Sequence, residues 1–127
     1  AGSCVTYDFL TQQKEYLGGA ISPGVQMRLR SMNDFTSKLP LIDWGGQDRP
    51  QSIGRTTITS MLSGVVNGLI AEMNGFILNY EKQYPELKIV ITGGDANFFE
   101  KELKNGIFAD PNLVLKGLNE ILIYNGK

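Results

Sequence analysis

The alternation of apolar and polar residues divides the chain into strand-like and helix-like stretches. Residues 4–10 and 15–21 are rich in β-branched and aromatic types, and the polar segment between them predicts a β-hairpin. Residues 88–92 form a short apolar run that is typical of a strand covered on both faces. Apolar spacings of three and four residues predict helices over 23–36, 56–80 and 110–124, and Asp95 as a cap predicts a short helix over 96–104. The resulting order, β-β-α-α-β-α-α, predicts an α/β domain.

The predicted helix over 56–80 has two different faces. The face that marks it as a core helix carries Ile58, Met61, Leu62, Val65, Leu69, Met73, Phe76 and Tyr80. The opposite face carries Thr57, Gly64, Gly68, Ala71 and Gly75. Each glycine inside a helix costs about 1 kcal/mol relative to alanine, so three of them predict a second packed surface. That surface belongs either to a second subunit or to another helix of the same chain.

The segment 37–53 lacks a steady period and contains several glycines and prolines, so we interpret it as a loop. A short strand is expected near Leu41 and Ile42. Trp44 lies in the same segment and is either a hydrophobic anchor or a ligand contact; we favour the anchor.

Glycine-bearing turns occur at three places along the predicted strands. Gly18-Gly19 precedes Ser22 and Pro23, which we expect to be the N-cap and the first residue of the next helix. Gly2-Ser3 and Gly93-Gly94 are the other two turns. Glycine permits close approaches that a Cβ would forbid, and a helix N-terminus attracts anions. Three such turns predict one extended phosphorylated ligand, while tight strand-to-helix turns are the alternative interpretation.

Composition narrows the chemistry that the chain can support. It contains no histidine and one cysteine, which removes the usual general base and excludes an internal disulfide or a thiolate zinc cluster. A net charge of −1 argues against nucleic-acid binding. We predict no membrane span and no signal peptide, and we expect a cytoplasmic protein. Because a β-rich run follows Ala1 almost directly, we expect the chain to be cut from a longer protein.

The order and spacing of several motifs resemble the C-terminal half of a type III pantothenate kinase. The resemblance covers nearly all of the chain. It rests on residues 2–8, 18–24, 39–40, 53–57, 63–64, 92–96 and 113–118.

This resemblance implies the fold, the reaction and the cofactors. The fold would be a ribonuclease H-like, actin-like ATPase domain, with a mixed sheet and helices on both faces. Residues 1–127 would form one domain, the C-terminal half of a two-domain kinase that acts as a homodimer. The reaction would be the ATP-dependent phosphorylation of pantothenate to 4'-phosphopantothenate, the first step of coenzyme A biosynthesis. It would use Mg²⁺ or another divalent ion, together with K⁺ or NH₄⁺.

The same resemblance implies roles for individual residues. Ser3 occupies the position of an ATP-contacting threonine, and Thr57 matches a threonine that touches pantothenate across the dimer. The ATP contacts implied are Gly2, Ser3, Gly18, Gly19, Gly93 and Gly94. The general-base aspartate would lie in the missing N-terminal half, and the aspartate that binds the monovalent cation just before Ala1. The chain alone is therefore expected to be inactive.

Two carboxylates are expected nearest the nucleotide. We predict that Asp95 caps the helix over 96–104, with a nucleotide contact as the alternative. Asp8 either holds a metal-bound water or has a structural role at the end of the hairpin.

Two rival functions stay open at the level of the sequence. One is a kinase of the same superfamily that acts on another small molecule, such as a sugar or acetate. The other is a non-catalytic transcriptional accessory regulator built on the same scaffold. Thr57 and the glycine turn that ends in proline count against the rival kinase.

Overall fold

The computed structural model describes residues 2–46, 48–103, 107–110 and 112–125, with side chains to residue 122. The described strands are β1 (Cys4–Leu10), β2 (Tyr16–Pro23), β3 (Ile89–Ile91) and β4 (Ile107–Ala109). The helices are α1 (Val25–Asp34), α2 (Thr57–Leu62), α3 (Gly68–Gln83), α4 (Ala96–Glu102) and α5 (Leu113–Asn125). This is the mixed α/β domain that the pattern predicts, with β4 as an additional strand.

The described strands form two separate sheets. β1 and β2 pair as an antiparallel hairpin in which Cys4 lies opposite Pro23 and Asp8 opposite Gly19. β3 and β4 pair in parallel. The prediction that β3 is covered on both faces is wrong for this chain, because Val90 is 50% exposed. Its register partner on β4, Phe108, is exposed as well.

The start of α1 differs from the prediction. Ser22 and Pro23 belong to β2, and Gly24 is the N-cap residue, with extended backbone and no side-chain capping bond. The strand continues because Ser22 pairs with Val5 and its hydroxyl is used in a tertiary contact. The apolar spacing of Val25, Leu29 and Phe35 predicts a buried face for this helix. Val25 and Leu29 are buried, whereas Phe35 is 89% exposed, since the helix ends before it.

A continuous helix runs from Thr57 to Gln83 and carries most of the core. α2 and α3 are joined within it by a π-helical segment, Ser63–Asn67. The predicted core face is confirmed at Met61, Val65, Leu69 and Met73, but Ile58 is exposed near the helix start. By length and composition this helix could cross a membrane, and several of its buried residues, such as Leu69 and Met73, pack in the core of the domain.

The loop over 37–53 is tied to the helices by side chains. Gln26 donates to the carbonyl of Ile42 (2.8 Å) and accepts from the amide of Trp44 (3.3 Å). The short strand expected near Leu41 and Ile42 is absent, because side-chain bonds rather than a neighbouring strand hold this segment. Trp44 is 6% exposed and meets Phe98 of α4 edge-on at 4.8 Å. The interpretation of Trp44 as a hydrophobic anchor is confirmed.

An open cleft separates the two sheets. Its volume is about 990 Å³, and contiguous residues of β1 and of the segment that leads into β3 line it. Contiguous residues on a strand point to alternate faces, so such a lining means that the strand edges themselves face the cleft. Among the described strands, β1 and β3 each have one partner, so the hairpin and the parallel pair each present an unpaired edge to the same space.

Candidate functional site

The two glycines of β2, Gly18 and Gly19, are required by the structure for different reasons. Gly18 has a φ of +95°, which favours glycine, and it lies where the hairpin register shifts. A Cβ on Gly19 would overlap the carbonyl oxygen of Tyr7 on β1. Gly19 is thus required for the close approach of the two strands, which explains the glycine whether or not a ligand binds there.

Gly24, at the other end of the hairpin, holds the N-terminal turn in place. Its amide donates to the carbonyl of Ser3 (2.9 Å), and a Cβ on it would overlap the carbonyl oxygens of Gly2 and Ser3. Ser3 itself is exposed, and the space beside Gly2 is open. The Asp8–Gly19 pair lies four residues along β1 from Cys4, about 14 Å away at about 3.4 Å per residue. The structure therefore separates Gly2-Ser3 from Gly18-Gly19 along the hairpin.

The turn after β3 exposes bare backbone. Gly93 has a φ of +107°, and Gly94 has no heavy atom within 4 Å of the position that a Cβ would take. Asp95 holds the predicted N-cap position of α4, but its side chain makes no capping hydrogen bond. Burial raises the pKa of the Asp95 carboxyl above its ordinary value.

Thr57 is the first residue of the long helix and is exposed. The turn before it is stiff, because Thr56 and Thr59 form a reciprocal capping box. Gly54 is needed in this turn, since a Cβ there would overlap the backbone of Ser60. Thr57 thus presents its hydroxyl from a well-defined helix start.

The small-residue face of the long helix is open. No heavy atom lies within 4 Å of a Cβ built on Gly64, Gly68 or Gly75. Within the described part of the chain, therefore, no helix packs closely against these glycines. This counts against the same-chain interpretation for the described residues, and the second subunit stays a prediction.

A polar cluster that the sequence analysis missed joins three elements to α3. The Glu72 carboxylate accepts from the Tyr7 hydroxyl (2.7 Å), the Ser22 hydroxyl (2.8 Å) and the Arg28 guanidinium (2.7 Å). Burial alone would raise the pKa of Glu72, but these three donors outweigh it and lower the pKa. Burial and the bond to Glu72 raise the pKa of Tyr7. A sequence signal existed: Glu72 is the single charged residue over 57–80.

The predicted metal role of Asp8 has a competing partner. Its carboxylate accepts from the Tyr16 hydroxyl at 2.8 Å across the hairpin. Within the described residues, no three His, Cys, Asp or Glu side chains cluster in a way that could hold a metal ion. The described carboxylates therefore do not fit a resident metal centre.

Comparison with known proteins assigns the family. The family model described as type III pantothenate kinase matches residues 1–79, more than half of the chain. The chain belongs to the type III pantothenate kinase family. Among its curated relatives are the type III pantothenate kinases of Phocaeicola vulgatus, 49% identical over 127 residues, and of Christiangramia forsetii, 46% identical over 125 residues.

The matches cover the whole of this family member but about half of each relative. They span 100% of the chain and 52% of the Phocaeicola protein, and 98% of the chain and 51% of the Christiangramia protein. A solved structure from Campylobacter jejuni, assigned to the Baf family of transcriptional activators, superposes with a TM-score of 0.72 at 22% identity. The superposed region covers 99% of this chain and 56% of the Campylobacter chain. At that identity the likeness concerns the fold alone.

Proposed function

We propose that the chain is the C-terminal half of an enzyme that transfers a phosphoryl group from ATP to pantothenate, forming 4'-phosphopantothenate. The observation that carries this proposal is the 46–49% identity to curated type III pantothenate kinases along essentially the whole chain. The product would enter coenzyme A biosynthesis. The enzyme would act on small molecules in the cytoplasm and would bind neither nucleic acid nor a membrane.

The nucleotide would contact the exposed N-terminal turn and the turn after β3. Ser3 offers a hydroxyl on a backbone that Gly24 fixes, and Gly2 and Gly94 leave open space for phosphate or ribose. Gly93 would contribute an exposed turn whose φ of +107° favours glycine. Gly18 also has open space beside it, but it lies at the far end of the hairpin from Ser3. It could therefore contact the same nucleotide only if the ligand extended along the hairpin. Gly19 has a packing role that needs no nucleotide. The proposed ATP contacts therefore centre on the Ser3 turn.

A second copy of the chain would cover the small-residue face and complete the pantothenate site. Thr57 is exposed at the start of the helix that carries Gly64, Gly68, Ala71 and Gly75. The open space beside the three glycines supports close packing of a partner helix. Thr57 would then reach the substrate from one subunit while the partner supplied the rest of that pocket.

The two sheets would become one in the longer protein. The free edges of β1 and β3 face a single cleft, and unpaired strand edges normally find a partner. A strand from outside the chain, placed in that cleft, would join both pairs into one mixed sheet. That sheet would match the expected ribonuclease H-like, actin-like ATPase fold.

Phosphoryl transfer depends mainly on positioning and on neutralising charge, with a base to orient the attacking hydroxyl. The described residues supply positioning groups, and we assign the base to the other half of the enzyme. The divalent ion would arrive on the phosphates of ATP, since the described carboxylates do not form a site for it. The K⁺ or NH₄⁺ ion would bind next to the Ser3 turn.

The test is ATP-dependent phosphorylation of pantothenate by the full-length protein and by the chain alone, each with and without K⁺. We expect turnover by the full-length protein when K⁺ is present, and none by the chain alone. Turnover by the chain alone would refute the assignment of the base to the other half. A folded, ATP-binding, full-length protein that leaves pantothenate unphosphorylated would refute the kinase proposal and favour a regulator or another substrate.

A further inference from the structure

The Glu72 carboxylate divides its donors between its two oxygens. Oε1 accepts from Ser22 (2.8 Å) and from Nη2 of Arg28 (2.7 Å), while Oε2 accepts from Tyr7 (2.7 Å). The side chains of Arg28 and Glu72 are 22% and 26% exposed, so this ion pair is partly withdrawn from water. A partly buried carboxylate is tolerated where donors satisfy it, and here the donors come from β1, β2 and α1.

Arg28 extends this cluster to the backbone beside the Ser3 turn. Its Nη2 contacts Glu72 and Ser22, while its Nε donates to the carbonyl of Pro23 at 2.8 Å. The next residue, Gly24, donates its amide to the carbonyl of Ser3 at 2.9 Å. A continuous series of hydrogen bonds thus runs from α3 to the N-terminal turn.

We propose that Glu72 is a positioning residue for the nucleotide, acting through Arg28 and the Pro23-Gly24 backbone on Ser3. The inference rests on the proposed function, because Ser3 is the proposed ATP contact. The planar guanidinium can hold the carboxylate and the Pro23 carbonyl at once, which a lysine ammonium on a flexible stem does not reproduce. Tyr7 binds the other carboxylate oxygen and lies outside this series.

Three variants of the full-length protein separate positioning from general support of the fold. Glu72→Gln removes the charge that orients Arg28. Arg28→Lys keeps the charge but loses the planar fork. Tyr7→Phe is the matched control, because it removes a hydrogen bond to the same carboxylate and keeps the ring that stacks on Phe76 at 4.3 Å. The readouts are the ATP dissociation constant by titration calorimetry, the KM for ATP and the KM for pantothenate.

We expect Glu72→Gln and Arg28→Lys each to weaken ATP binding about tenfold, the scale of one lost charge-assisted hydrogen bond. The KM for pantothenate should change by less than about twofold, since these variants act on the ATP side. Tyr7→Phe should leave ATP binding unchanged. If Glu72→Gln does not fold, Arg28→Lys carries the test.

Two results would overturn the inference: unchanged ATP binding in folded Arg28→Lys, or an equal loss in Tyr7→Phe. The calorimetric readout does not depend on turnover. Failure of the proposed kinase activity would appear as absent phosphorylation by the unmodified protein, and failure of this inference as unaltered ATP binding in the variants.

Discussion

Replacing Gly68 with alanine should change helix stability and dimer stability in opposite directions. No heavy atom lies within 4 Å of a Cβ at this position, so alanine fits a single chain without strain. Removing a helical glycine should stabilise the folded chain by about 1 kcal/mol. In a dimer packed through this face, the added methyl meets the partner helix, and such overpacking costs about 1–3 kcal/mol per site. Two-fold symmetry doubles that cost to about 2–6 kcal/mol, which weakens the dimer at least about 30-fold.

Gly117 provides the matched control for this substitution. It lies in α5, a different helix from the one that carries the small-residue face, and a Cβ there also meets nothing within 4 Å. Gly117→Ala should therefore raise helix stability by a similar amount, about 1 kcal/mol, and leave association unchanged. Sedimentation velocity over a range of concentrations, together with thermal unfolding, measures both effects. Gly68→Leu should separate the subunits completely; a folded Gly68→Leu protein with the same sedimentation coefficient as the unmodified one would refute a dimer through this face.

Three further predictions follow from the described contacts. Gly19→Ala should destabilise the fold severely, because its Cβ would overlap the Tyr7 carbonyl, whereas Gly18→Ala meets no neighbour and should cost only the strain of its φ of +95°; urea unfolding of both tests this, and equal losses would contradict it. Trp44→Ala should cost about 3–5 kcal/mol by removing a buried indole from Phe98, and a loss below about 1 kcal/mol would contradict the anchor. The pKa of Glu72 is lowered on folding. The contribution of Glu72 to the free energy of unfolding is therefore complete above its unfolded pKa of about 4.3 and is lost as the pH falls through its folded pKa. The stability gap between the unmodified protein and Glu72→Gln should therefore close on acidification below about pH 4, and a gap that stays constant would contradict this.

The periodic elements could be predicted from the sequence, while their ends depended on tertiary contacts. The long helix was clear because large apolar residues such as Leu69 and Met73 recur at its period. The start of α1 was misplaced because Ser22, a good N-cap residue by type, instead pairs in β2 and binds Glu72. β4 was missed because three residues give too little pattern to separate a strand from a loop.

In the candidate site, too, some features could be recognised in the sequence pattern and others depended on tertiary contacts. The small-residue face could be recognised in the sequence, since glycine in a helix is costly enough to need a reason. The role of Thr57 stays a prediction. The packing reason for Gly19 could not be predicted, because its close neighbour is the Tyr7 backbone across the hairpin. The partners of Glu72 could not be predicted, since Tyr7 and Ser22 are 65 and 50 residues away along the chain.

The most direct test of the account is to identify the molecule that receives the phosphoryl group. The purified full-length protein would be incubated with ATP, Mg²⁺ and K⁺ and, in parallel reactions, with pantothenate, a hexose or acetate, and the products analysed by mass spectrometry. The account predicts that pantothenate alone gains one phosphoryl group, and that omitting ATP abolishes the product. Phosphorylation of the hexose or of acetate, with pantothenate unchanged, would contradict it.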